Sequence, residues 1–151
     1  MRRYRPPDQA AVFALHRLAL DRVGIRPGDG VYYDDDFARI EEVYLHGAGG
    51  FLVGEVDGRL VAIGAVRAVT SDIAEIVRMR VHPDLQRHGY GSALLRRLEE
   101  RALELGYTVA RVDTTVYQRA ALALYRKQGY RETGRRVVAG IENVYAEKCL
   151  R

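Results

Sequence analysis

The sequence predicts an α/β protein in which a mixed, mostly antiparallel sheet of seven strands is flanked by about four helices. Strand-like segments follow one another in the second quarter of the chain, joined by short turns, as in an antiparallel meander. Strands and helices then alternate through the second half, which is typical of a sheet covered by helices. The length of 151 residues, with 48% hydrophobic and 29% charged residues, fits one globular domain over 1–151 and excludes disordered and fibrous classes.

The first third of the chain predicts one short strand and two helices. Residues 2–5 are expected to form the strand, and Asp8 is a candidate N-cap for a helix whose apolar residues recur at helical spacing. A loop with several glycines follows over 24–30. A second helix is expected over 34–47, because the acidic residues at its start favour a helix N-terminus.

The meander is predicted from three apolar segments: one around Phe51–Val53, a second over 60–69 and a third over 73–81. The first two are separated by Asp57-Gly58, a strong signal for a two-residue hairpin turn. From residue 90 the apolar spacing becomes helical. The elements expected after that point are a helix over 90–105, a strand over 109–115, a helix over 119–127, and strands over 130–138 and 143–150.

The turn Gln86-Arg87-His88-Gly89-Tyr90-Gly91-Ser92 joins a strand to an amphipathic helix. Its two glycines let the backbone approach a ligand closely, and the helix behind them offers unpaired N–H groups and a positive dipole end. These features predict an anion site, most often for phosphate, although a ligand-free turn explains the glycines equally well. No lysine lies nearby, which excludes a P-loop.

The strand before this turn contains a candidate catalytic carboxylate, Glu75. Strict alternation places it on an otherwise apolar face of the strand, where burial would make a carboxylate a better base near neutral pH. A surface glutamate at the start of a strand is the alternative. The apolar residues expected on that face are Ile73, Val77, Met79 and Val81, with Arg78 and Arg80 on the opposite face.

Two segments together resemble a known family. The stretch 74–83, followed by Gln86-x-x-Gly89-x-Gly91, resembles motif A of the GNAT superfamily of acetyl-CoA-dependent N-acetyltransferases. The later stretch Ala121-x-x-Leu124-Tyr125-x-Lys127-x-Gly129-Tyr130 resembles motif B of the same family. The expected order of strands and helices on both sides of these motifs agrees with that fold.

The resemblance implies that an amine attacks the thioester of acetyl-CoA directly in a ternary complex. It implies that Glu75 is the general base, that Tyr125 protonates the departing thiolate, and that no metal takes part. Without the resemblance, a core position is the alternative for Tyr125. The strand and turn are expected to bind coenzyme A through Met79, Arg80, Val81, Gln86, Arg87, His88, Gly89, Tyr90, Gly91 and Ser92.

The acceptor is not identified, because family members acetylate protein amines, polyamines, antibiotics and small metabolites. Tyr32 and Tyr33, beside the acidic run Asp34–Asp36, are candidates for binding a cationic amine, although acids at a helix start also serve as caps. Arg135 and Arg136 favour an anionic acceptor instead. The two signals conflict.

Two other functions are left open. One is a CoA-binding regulatory domain without turnover. The other is a nucleic-acid-binding module, because 22 of the 24 cationic side chains are arginines, although acidic residues interrupt every basic stretch. We expect a cytoplasmic protein with no membrane or nucleic-acid partner, since the chain has one cysteine and no long apolar run. A homodimer is left open.

Overall fold

The computed structural model describes residues 1–25 and 35–150. One sheet of seven strands has the order β1-β2-β3-β4-β5-β7-β6, and among its neighbouring pairs only β4 and β5 run parallel. The mixed, mostly antiparallel sheet predicted from the sequence is therefore confirmed. The strands are β1 (Arg2–Arg3), β2 (Gly50–Val56), β3 (Arg59–Ala68), β4 (Ile73–Val81), β5 (Val109–Thr115), β6 (Arg131–Val138) and β7 (Ile141–Cys149).

Three α-helices are present in the described part of the chain: α1 (Gln9–Arg22), α2 (Tyr90–Glu104) and α3 (Arg119–Lys127). Short 3₁₀ turns at Pro6–Asp8 and Pro83–Leu85 precede α1 and α2. Among these helices, none combines the length and the apolar character that crossing a membrane requires.

The second helix expected over 34–47 is present over 35–45, but it is irregular rather than a continuous α-helix. A 3₁₀ segment at Asp35–Arg39 is followed by a π-helical turn at Glu41–Leu45, and residue 34 lies outside the described residues. Side chains of this segment are held by the sheet: Phe37 and Tyr44 are buried, and Asp36 binds Arg78 of β4. These tertiary contacts outweigh the regular helical period.

The sheet separates two apolar clusters. On one side, which we call the α2 face, Leu94, Leu95 and Leu98 of α2 are fully buried against the sheet. The other side, the α1 face, is covered by α1 and the 35–45 segment, with Val12 and Phe37 in its core. The side on which a strand residue points therefore decides which helices it meets.

Of two local features predicted from the sequence, the hairpin turn is confirmed, whereas the N-cap of α1 lacks its side-chain hydrogen bond. Asp57 and Gly58 have φ of +53° and +76°, the left-handed pair that the predicted hairpin turn requires. Asp8 does not cap α1 with its side chain. Its carboxylate instead accepts hydrogen bonds from the Arg2 guanidinium and the Arg5 backbone N–H, which are all at 2.8 Å.

A β-bulge interrupts β4. Its register with β3 pairs Val77 with Ala65 and Arg80 with Ile63, so two residues of β4 lie opposite Gly64 alone. Arg78, in the bulge, has φ of +59°, a left-handed conformation that is uncommon for a residue with a side chain.

Because of the bulge, the side chains of β4 do not lie on the faces predicted from strict alternation. Val77 packs in the cluster on the α1 face, whereas Met79 and Val81 pack in the cluster on the α2 face. Glu75 therefore does not share one apolar face with Met79 and Val81, because the extra residue shifts the alternation by one. Arg78 and Arg80 lie on the side of Val77 rather than opposite to it.

Candidate active site

A cleft opens between β4 and β5 beyond Glu75. The two strands pair over three residues on each side, ending at Glu75 and its partner on β5, and they pair no further. The backbone N–H of His82 donates to the carbonyl of Val61 on β3 at 2.8 Å. Because backbone groups alternate between the two sides of a strand, those of Met79 and Val81 face the cleft. One wall of the cleft is therefore formed by backbone donors and acceptors of β4 that make no hydrogen bonds to β5.

The loop 86–92 lies at the end of this wall and leads into α2. Gly89 is the N-cap residue of α2 with φ of +83°, and Arg87 also has a left-handed φ of +68°. The His88 Nδ1 lies 3.0 Å from the Gln86 carbonyl oxygen. The first backbone N–H groups of an α-helix have no partner within the helix, so this loop presents donors and a positive dipole end beside the cleft.

Gly91 lets the start of α2 pack closely against α3. A Cβ at this position would lie 3.3 Å from Leu124 Cδ2 and 3.9 Å from Val81 Cγ2. The second glycine of the loop therefore favours close packing between the two helices.

Tyr125 of α3 lies against the strand wall from the α2 face. It is 7% exposed, and its hydroxyl lies 4.0 Å from the Met79 Sδ atom. Burial raises the pKa of Tyr125 to about 12, so the phenol keeps its proton at neutral pH. Its ring also packs at 5.6 Å from that of Tyr130. The residue is thus a core side chain whose hydroxyl keeps its proton beside the cleft.

Glu75 lies on the α1 face with a second carboxyl group beside it. Burial, the charge of Glu75 and a hydrogen bond to Glu75 raise the pKa of Asp113 on β5 to about 6. The guanidinium of Arg67 lies 3.4 Å from the Glu75 carboxylate. Two acids that share a hydrogen bond, one with a pKa near 6, form a pair that can accept a proton near neutral pH.

The bulge residue Arg78 is held by a partner from another part of the chain. Its guanidinium donates two hydrogen bonds to Asp36, at 2.9 and 3.0 Å, and its Cζ lies 5.4 Å from the centre of the Phe37 ring. The Tyr44 hydroxyl donates to the same carboxylate. Burial alone would raise the pKa of Asp36, but the hydrogen bonds from Arg78 and Tyr44 outweigh it and lower that pKa. Asp36 is therefore already paired, which weakens the expectation that the acidic run attracts a cationic amine.

Arg80 projects its side chain, rather than its backbone, toward the cleft. Its backbone pairs with Ile63 on β3, and one guanidinium nitrogen donates to the carbonyl of Met79 at 2.8 Å. Burial, together with the positive charge of Arg78, lowers the pKa of Arg80 to about 10.

The residues expected to choose the acceptor are only partly described. Tyr32 and Tyr33 lie outside the described residues. Arg135 on β6 binds Glu132 at 2.9 Å and Glu142 at 2.7 Å, so its charge is balanced locally. The anionic preference inferred from Arg135 is accordingly weaker than the sequence indicated.

Sequence reasoning missed Asp113. Alternation along β5 was a usable signal, since Ala110 and Val112 are buried on the α2 face and leave Asp113 to point the other way. What the sequence did not show is that β5 is the parallel neighbour of β4, which brings Asp113 to Glu75.

Comparison with known proteins gives one family. The model of the acetyltransferase (GNAT) family matches residues 12–130. An IAA acetyltransferase of Azospirillum brasilense is 38% identical over 85 residues, a match that spans 56% of this chain and 56% of that protein's length. The uncharacterized N-acetyltransferase YjgM of Escherichia coli is 27% identical over 134 residues, covering 86% of this chain and 80% of YjgM.

A solved structure is similar over the whole fold. The yncA protein of Salmonella typhimurium, solved with its cofactor acetyl-CoA, superposes with a TM-score of 0.80 at 21% identity. The superposition covers 99% of this chain and 92% of the other. At this identity the likeness concerns the fold.

Proposed function

This chain belongs to the acetyltransferase (GNAT) family, and we propose on that basis that it moves the acetyl group of acetyl-CoA to the primary amine of an acceptor. It is accordingly an acyltransferase. The observation that carries the proposal is the arrangement around the cleft between β4 and β5. An acidic pair lies on one face of the sheet, a protonated tyrosine lies on the other, and the anion-binding loop is at one end.

The residues around the cleft fit coenzyme A. Backbone N–H groups of the loop 86–92 would hold the pyrophosphate, because they are unpaired donors at a helix N-terminus. The backbone of Met79 and Val81 would pair with the amide groups of the pantetheine arm, since β5 leaves it unpaired. Gly91 keeps the start of α2 close to α3 at this end of the cleft, since a Cβ there would lie 3.3 Å from Leu124 Cδ2.

The side chains then divide the proton transfers. Acetyl-CoA supplies the acetyl group as a thioester, which an unprotonated amine can attack. Glu75 and Asp113 accept the proton that the amine loses as the new C–N bond forms. Tyr125 donates its proton to the sulfur as the C–S bond breaks, and its raised pKa of about 12 means that the phenol still holds this proton at neutral pH.

Two measurements test the proposal. Calorimetry should show acetyl-CoA binding, and a panel of primary amines should reveal at least one acceptor that releases free CoA in a stoichiometric reaction. Binding without turnover on any amine would favour a CoA-binding regulatory domain instead. Duplex or RNA binding that weakens steeply with salt, without acetyl-CoA binding, would favour a nucleic-acid module.

We also propose that the reaction takes place in the cytoplasm and without a metal ion. The single cysteine, Cys149, is free and exposed, as suits a reducing compartment. Over residues 1–25 and 35–150, no three His, Cys, Asp or Glu side chains group as metal ligands would. Turnover that survives dialysis against a chelator is the direct test.

A further inference from the structure

The side chain of Arg80 is a partly buried cation whose hydrogen bonds are incomplete. A guanidinium carries five N–H donors and is always charged, yet the one hydrogen bond that this side chain makes in the described structure is to the Met79 carbonyl, at 2.8 Å. Its Nε atom is buried and has no partner among the described residues. A buried charge normally requires an opposite charge and satisfied donors, because otherwise its desolvation is not repaid.

The neighbouring arginines on the same face are paired. Arg67 lies 3.4 Å from the carboxylate of Glu75, and Arg78 makes a two-point contact with Asp36 at 2.9 and 3.0 Å. Arg80 forms no ion pair with a described residue. Among these three arginines Arg80 is thus the one without an ion pair to a described side chain, and the remaining carboxylate of this face, Asp113, acts on its charge without forming a salt bridge to it.

This charge lies among the groups that would carry out the chemistry. Asp113 and Tyr125 are both near enough to act on the charge of Arg80, and Asp113 hydrogen bonds Glu75. Arg80 is thus a neighbour of the proton acceptor for the amine and of the proton donor for the thiolate. An anionic group bound to Arg80 would therefore lie close to Asp113 and to the amine whose proton Asp113 would accept.

We propose that Arg80 binds a carboxylate of the acceptor, and that the acceptor is a small amino acid whose carboxylate lies one or two carbons from its amine. A carboxylate matches the planar fork of a guanidinium, takes two parallel hydrogen bonds, and neutralises the unpaired charge. This inference rests on the proposed function. It deepens that function by naming the class of acceptor and the residue that selects it.

The test compares matched ligands on the complex of the full chain with CoA. Binding of an amino acid and of the corresponding amine without the carboxylate, such as leucine and 3-methylbutylamine, is measured by calorimetry across the common amino acids. Turnover with acetyl-CoA is measured in parallel. We expect at least one amino acid to bind and react roughly 10²-fold better than its decarboxylated amine.

The variants then assign this preference to one side chain. Arg80→Met should remove most of the preference, lowering amino-acid affinity and kcat/KM by roughly 10²-fold while acetyl-CoA affinity stays within about threefold. Arg80→Lys should restore part of it. Arg131→Met, which removes an exposed arginine of β6, is the control and should change neither. Because Arg80→Met removes an uncompensated buried charge, its melting temperature should equal or exceed that of the wild type.

The possible outcomes distinguish the role of Arg80 from the proposed N-acetyltransferase activity. Acetylation of amines with no preference for a carboxylate, or an Arg80→Met variant that weakens both ligands or acetyl-CoA itself, overturns the role of Arg80 and leaves the N-acetyltransferase intact. Carboxylate-dependent binding that Arg80→Met abolishes, without turnover of any amine, supports the anion site and overturns the proposed activity.

Discussion

The carboxyl groups of Glu75 and Asp113 share a hydrogen bond across the point where β4 and β5 part. Burial and the nearby charge of Glu75 both disfavour the ionised form of Asp113 and so raise its pKa. The raised pKa of Asp113, about 6, puts the release of the shared proton just below neutral pH. The pair is thereby ready to take up a proton under the conditions in which the enzyme would work.

The first prediction concerns the pH dependence of turnover. Wild-type kcat/KM should fall as pH decreases through about 6, since the acidic pair is then protonated and cannot accept the amine proton. In Asp113→Asn this acid limb should move to lower pH, because the carboxyl group whose pKa is raised to about 6 has been removed. Glu75→Gln should lower kcat by roughly 10²–10⁴-fold with acetyl-CoA affinity nearly unchanged. An unchanged acid limb in Asp113→Asn would mean that Asp113 does not share the titration.

The second prediction concerns stability. A folded-state pKa of Asp113 above its ordinary value means that the folded protein holds this proton more tightly than the unfolded chain does. The contribution is fully present below about pH 4 and is lost as pH rises through about 6, by about 1–3 kcal/mol. Asp113→Asn should therefore gain stability relative to the wild type at pH 7–8 but not at pH 4. Urea unfolding at the two pH values measures the difference, and a gain of equal size at both would point to a cause other than titration.

The third prediction separates the two roles of Tyr125. Tyr125→Phe keeps the ring in the core and removes the hydroxyl, so turnover should fall about 10²-fold while the melting temperature and acetyl-CoA affinity stay close to wild type. Tyr130→Phe is the matched control. Its hydroxyl donates to the buried carboxylate of Glu99 at 2.8 Å, so this variant should lose about 1–3 kcal/mol of stability and keep its turnover. Near-normal turnover in Tyr125→Phe would leave that residue a core role alone.

The fourth prediction tests the loop with two glycines at opposite ends of α2. Gly89 and Gly106 have φ of +83° and +97°, and a Cβ on either would meet nothing within 4 Å. Alanine at either position should therefore destabilise the fold by a similar amount, about 1 kcal/mol. Only Gly89→Ala should also weaken acetyl-CoA binding, by tenfold or more, because only that end would hold the pyrophosphate. Equal affinities in the two variants, measured by calorimetry, would remove the loop from the binding site.

Much of this fold could be predicted because local signals and tertiary structure agree. The bounds Ile73–Val81, Val109–Thr115 and Arg119–Lys127 were predicted to the residue, since apolar spacing and nearby turn residues mark where each element begins and ends. The hairpin at Asp57-Gly58 was predicted for the same reason: its conformation is a property of those two residues.

The remaining features depend on contacts between distant segments. The bulge at Arg78 has no glycine or proline of its own to mark it, and the smallest residue nearby, Gly64, lies on the neighbouring strand. The irregular segment around Asp36 is set by its bond to Arg78, 42 positions away. The pairing of Glu75 with Asp113 needs the strand order, which periodicity does not contain.

The bulge in β4 makes the length of this strand a constraint on evolution. Substitutions at exposed positions of β4 leave the alternation of its side chains intact. Deleting or inserting one residue between Val77 and Arg80 would instead turn each later side chain of the strand to the opposite face of the sheet. Met79 and Val81 would turn away from α2, and Arg80 would leave the face that holds Glu75 and Asp113. Descendants of this sequence are free to vary the loops at either end of the cleft and so change acceptors. They should show almost no insertions or deletions within residues 75–81.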